Sequence, residues 1–159
     1  IKPNNFMIKY DSTQEPSLYI LDFGLSKKYK IQGHHIEFKT DKSLVGTARY
    51  ASINVHNGFE PSRRDDLESV AYMLIYFLKG KLPWQGLNKE PNKSHINVIG
   101  SVKLSMNVNK LCLDIPECFK QYLLYTQKLQ FSEKPDYDYL INLLINYGLN
   151  NNIDLKYIF

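Results

Sequence analysis

Three residues near the start of the chain have side chains suited to phosphate chemistry. They are Lys2 and Asn5 in "IKPNNF" and Asp22 in "LDFG". Taken singly, each has a plain structural reading. Lys2 is a surface lysine near a terminus. Asp22, followed by Phe23 and Gly24, closes a tight turn after a strand. The chemical reading of Asp22 is a carboxylate that holds Mg2+ on the phosphates of ATP, with Phe23 packed at a hinge. A lone tripeptide does not decide between these readings.

Order and spacing decide. The catalytic loop of protein kinases reads H-R-D-x-K-x-x-N, and Lys2 and Asn5 carry the spacing of that Lys and Asn. "LDFG" then follows after a strand, a turn and a strand. Further along come "GTARYASIN" at 46–54, where most kinases carry A-P-E, then "SRRDDLES" at 62–69, "LPWQG" at 82–86 and "KPDYDYL" at 134–140. Together these blocks closely resemble the casein kinase 1 family of Ser/Thr protein kinases, over nearly the whole chain. The S-I-N in place of A-P-E is specific to that superfamily.

The resemblance implies a role for each matching position. Asp22 would ligate Mg2+ and Asn5 would share it. Lys2 would place a positive charge on the transferring phosphoryl group. Thr47 would hydrogen-bond Lys2 and the catalytic Asp. Met7 and Leu21 would floor the adenine pocket, and Asp66 would anchor the catalytic loop from below. Lys27, Lys42, Arg49 and the backbone of Gly86 would bind the anionic group of an acidic or pre-phosphorylated protein substrate. One position departs from the family. His95 stands where well-known members carry a phosphate-binding Lys, with Lys93 two residues before it. Histidine is only partly charged near neutrality, so a weaker preference for primed substrates is expected. By the same resemblance, His-Arg-Asp would stand just before Ile1 and supply the catalytic base. A chain starting at Ile1 is expected to show no kinase activity alone, and to expose an apolar lobe interface.

The elements that must position these residues are legible in outline. "FMIKY" and "SLYILDFG", joined by "DSTQEPS", read as a β-hairpin. Residues 24–44 are polar, basic and irregular, a long and therefore functional loop. "VAYMLIYFL" at 70–78 is apolar on every side and reads as a central buried helix, with Gly80 as its cap. Phe119, Tyr122 and Leu123 keep helical spacing, as do Tyr137, Leu140, Leu144 and Tyr147. For the last helix, Pro135 stands at the start, Asp136 and Asp138 in the first turn, and Gly148 after the end. "LNNNI" at 149–153 reads as a loop. Trp84 is expected under the turn after the central helix. Arg63 and Arg64 are expected in ion pairs around the activation segment, and His34 and His35 in solvent. The fold class is that of a protein kinase, C-terminal lobe only: one partial domain over 1–159, mainly α with a small hairpin at its N-terminal end.

Bulk properties narrow the partners. The chain has 159 residues, 43% apolar and 13% aromatic, enough for one domain with a core. The longest apolar run has nine residues, against about 18 for a membrane span. No secretory leader pattern opens the sequence. Cys112 and Cys118 have no metal-ligand pattern. The net charge of +4 permits an anionic partner without requiring one. The expected cofactors are ATP and Mg2+, and the expected partners are protein substrates, with no nucleic acid and no membrane. A monomer is expected in the full-length form, in cytoplasm or nucleus. Two other readings stay open: a truncated binding module or pseudokinase that docks acidic partners near Lys42 and Arg49, and a tau-tubulin or vaccinia-related branch of the superfamily.

Overall fold

The computed structural model describes residues 1–11, 14–87 and 94–154. The chain begins with a single 3-10 turn, Pro3–Asn5, with Pro3 at its first position, where the missing N–H costs nothing. Strands β1 (Phe6–Asp11) and β2 (Gln14–Ile20) then pair antiparallel, with Phe6 opposite Ile20 and Met7 opposite Tyr19. The pattern of β-branched and aromatic residues favours this pleat. The ladder continues one step past the strands, because Leu21 N donates to Asn5 O at 2.7 Å.

The loop after β2 is not wholly irregular. Lys30–Ile31 (β3) pairs with His34–His35 (β4). Gln32 and Gly33 between them both have positive φ, 49° and 83°, as a two-residue primed turn requires. His34 is exposed, as expected. His35 is half-buried instead: its ring meets Phe131 edge-on at 4.7 Å, and its Nδ1 lies 2.9 Å from Ile36 O.

Among the described residues, six helices form the body. They are α1 (Ile53–His56), α2 (Arg63–Lys79), α3 (His95–Ser105), α4 (Val108–Leu111), α5 (Glu117–Lys128) and α6 (Tyr137–Asn150). Helix α2 is central. Its Ala71, Tyr72, Met73 and Ile75 pack with Leu82, Trp84, Ile99, Leu111, Leu123 and Leu140 in one core. It lies against α5, which in turn lies against α6, while α1 lies against α3. Gly80 closes α2 in the left-handed region, φ 71°, and donates to Tyr76 O; a side chain would be strained there.

Three details of the helices differ from the sequence reading. Phe77 and Leu78, at the end of α2, are exposed rather than buried. The apolar run outlasts the helix face that the core can cover. Helix α6 runs two residues past Gly148, which is buried inside it, so Leu149 and Asn150 are helical and the turn starts at Asn151. Gly148 therefore does not terminate the helix. Asp136 is the N-cap itself, accepting from Tyr139 N at 2.9 Å. Among the described residues, no helix is long and apolar enough to cross a membrane.

Candidate active site

The hairpin register builds the first half of the site. The Leu21–Asn5 ladder bond sets the residue after Leu21 beside Asn5, and Asn5 Nδ2 donates to Asp22 Oδ2 at 3.4 Å. Asn5 is buried, held by its own N–H to Lys2 O at 2.9 Å. Asp22 is exposed, with φ at +63°. Positive φ is uncommon for a non-glycine residue, though Asp tolerates it better than most, and such positions are found at functional sites as well as in turns. Phe23 is 66% exposed. Lys2, half-buried, precedes the 3-10 turn.

Met7 and Leu21 fall on one face of the hairpin with Tyr19, by the alternation of the register. All three are exposed, and so are Ile8, Leu18 and Ile20 on the other face. The expected uncovered apolar surface is therefore present.

The second half of the site is the segment from Thr47 to Ile53. Thr47 is exposed, and its carbonyl accepts from Tyr50 N and Ala51 N. Among the described residues, no hydrogen bond joins the Thr47 hydroxyl to Lys2. Arg49 is exposed, and its carbonyl accepts from Trp84 Nε1 at 2.7 Å. Trp84 does pack under the turn after α2, and it also fixes the backbone at Arg49. Gly86, φ 70°, lies two residues beyond it. His95 is exposed at the first position of α3. Lys93 lies outside the described residues.

Lys27 and Lys42 form a separate group. Both ammonium groups pair with the buried carboxylate of Glu60, Lys42 at 3.4 Å. Burial, and then the neighbouring charge of Lys42, push the Lys27 pKa down. Lys28 and Lys39 join them around a cleft of about 340 Å3. Among the described residues, no hydrogen bond or ion pair joins this group to Arg49, Gly86 or His95.

Arg63 and Arg64 act mainly through carbonyls and rings. Arg63 donates to Ser132 O at 3.0 Å and lies over the Tyr29 ring at 4.4 Å. Arg64 donates to Leu129 O at 3.0 Å, with an Asp65 oxygen at 3.6 Å. Asp66 is exposed on α2; partial desolvation by the surrounding protein raises its pKa, and the Ile1 ammonium is the strongest opposing influence.

The sequence reading missed the groups that fix residues 48–53. Asp65 and Glu68 stand three apart on α2, and both are buried. Asp65 accepts from Ser52 Oγ at 2.6 Å and from Ser62 N at 2.7 Å. Glu68 Oε1 accepts from Ile53 N at 3.0 Å and from Tyr72 OH at 2.7 Å. Lys103 and His56 hold the carbonyl of Ala48, at 2.9 and 3.1 Å. The available signal was a lysine amid Val98, Ile99 and Val102, an apolar stretch that predicts burial.

A family model for the protein kinase domain matches residues 1–143. The chain belongs to that family. It is a kinase, a phosphoryl transferase with protein substrates, and its mainly helical body with a small hairpin is the C-lobe-like part of that fold.

Proposed function

We propose that this is a Ser/Thr protein kinase domain of the casein kinase 1 type, using ATP and Mg2+ to modify acidic or pre-phosphorylated proteins. The observation that carries the nucleotide half is the pairing of Asn5 with Asp22 at a strained backbone position. Among the described residues, no three His, Cys, Asp or Glu side chains converge as a metal cage. Mg2+ does not need one: one or two carboxylate or amide oxygens and the substrate phosphates complete its shell. Asn5 and Asp22 offer that donor set.

When bound, the cation would neutralise charge on the phosphates. The protein's own residues do the rest. Asn5 orients Asp22, Lys2 places a fixed positive charge by the transferred group, and Met7 with Leu21 give the base an apolar floor. Two sets of groups would read the substrate: Lys27 with Lys42, and Arg49 with the Gly86 backbone and His95. Support for the casein kinase 1 type comes from Ser52 and Ile53 of S-I-N being held by Asp65 and Glu68 of "RRDDLE". The two blocks that carry the resemblance bind each other. Completion by a second lobe would cover the uncovered hairpin.

The test uses the complete gene product with labelled ATP and matched peptides. Transfer to serine in an acidic peptide, lost in Asp22→Asn, is expected. Transfer to tyrosine alone, or equal transfer to basic peptides, would overturn the reading. With His95 in place of lysine, a phosphate at the priming position should improve turnover only slightly. A strong primed preference unchanged in His95→Ala would refute that part.

A further inference from the structure

Lys103 is 2% exposed, on the inner side of α3. Its ammonium donates to Ala51 O at 2.6 Å and to Ala48 O at 2.9 Å. Its remaining surroundings are ring faces, Tyr72 at 4.6 Å and Trp84 at 4.9 Å. Among the described residues it makes no ion pair; the nearby Glu68 is already engaged by Ile53 and Tyr72.

Burying an ammonium without a carboxylate partner is costly, and a methionine would fill the same space with no such cost. What only the lysine adds is the pair of donations. Both accepting carbonyls lie outside any helix, Ala51 buried and Ala48 half-buried, where an inward-facing carbonyl needs a donor. They bracket Arg49 and Tyr50. The carbonyl between them, Arg49 O, is taken by Trp84, and His56 adds a second donor to Ala48 O. The backbone of 48–51 is thus drawn inward at three points, while the Arg49 side chain stays exposed.

We propose that Lys103 is a positioning residue for the protein substrate, fixing the backbone of residues 48–51 so that Arg49 is presented in one arrangement. The inference rests on the kinase reading above for the role of Arg49. Lys103 itself touches neither nucleotide nor phosphate in this scheme. Its loss should weaken protein-substrate binding and spare ATP.

The experiment compares wild type, Lys103→Met and Lys103→Gln in the complete gene product. Amide exchange is followed over residues 46–52 and over α2. KM is measured for an acidic serine peptide and for ATP. Loss of two buried hydrogen bonds predicts roughly tenfold faster exchange in 46–52 and a roughly tenfold higher peptide KM in Lys103→Met. The ATP KM, kcat and α2 protection should be nearly unchanged. Lys103→Gln, which keeps a donor, should lie between the two, and it supplies the comparison if the methionine variant does not fold. Unchanged exchange in 46–52, loosening spread evenly over α2, or equal shifts in both KM values would overturn the inference. If wild type phosphorylates no acidic serine peptide, the Ser/Thr reading falls. The exchange comparison then decides alone: local loosening upholds the positioning role, and unchanged exchange rejects it.

Discussion

Ser52 Oγ donates to Asp65 Oδ1 at 2.6 Å, and the two residues are 0% and 3% exposed. The same hydroxyl oxygen accepts from Val55 N at 3.1 Å and so caps α1. One side chain therefore starts a helix and pins the activation segment to α2. Ser52→Ala would remove the cap and leave a buried carboxylate short of a donor. The expected loss is about 2–3 kcal/mol, read as a lower denaturant midpoint with unchanged slope. A midpoint equal to wild type would show that Asp65 finds another donor.

The backbone at Asp22 is costly, and the proposed role in Mg2+ binding makes that cost testable. Its positive φ costs a non-glycine residue about 1 kcal/mol or more. Asp22→Gly should therefore hold or raise the melting temperature while the affinity for Mg2+-nucleotide, measured by calorimetry, drops at least about tenfold. Asp22→Asn, which tolerates the same backbone, should lose affinity with little change in melting. Retained nucleotide binding in both variants would remove Asp22 from the site.

His56 sets an acid limit on the fold. Burial, and then the charge of Lys103, lower its pKa from 6.5 to about 4, while its bond to Ala48 O opposes them. Between those values the unfolded chain takes up a proton that the folded chain refuses. Stability therefore falls as pH drops from 6.5 to 4, and this contribution is complete below 4. The full shift would correspond to roughly 3 kcal/mol, and the half-buried ring to about 2. His56→Asn should flatten the acid limb of a stability–pH curve over that window. Glu68 and Asp66, whose pKa values are raised, act in the opposite sense and are unchanged by the substitution. Parallel curves for variant and wild type would exclude His56.

Glu60 already occupies the lysine pair that the proposed substrate anion would use. Glu60→Gln should lower the KM for an acidic peptide by about threefold to tenfold at low salt, and steepen its salt dependence. No change in KM would place the substrate anion elsewhere, at the Arg49 group.

The features legible in the sequence were the local ones. The hairpin, the Gly80 cap and the spacing of α5 and α6 depend on residues a few positions apart. So did the blocks around Asn5, Asp22 and Ser52. What stayed hidden depends on distant partners. Lys103 meets carbonyls more than fifty positions away; the apolar stretch around it signals burial but not the partners it would find. Glu60 sits in an unremarkable turn until Lys27 and Lys42 close on it. His35 looked solvated because Phe131, its ring partner, is far along the chain. Phe77 and Leu78 show the reverse: an apolar run predicts burial, but the surrounding helices decide how much of it is covered.

Gly100 stands where a side chain would crowd His56; a Cβ there would lie 3.0 Å from Nδ1 and 3.3 Å from the ring carbon Cγ. Helix α3 carries His95 at its exposed end and Lys103 eight residues on, about 12 Å along the axis. Because close-packed interiors accept little added volume, any residue larger than glycine at position 100 would have to shift the ring that shares the Ala48 carbonyl with Lys103.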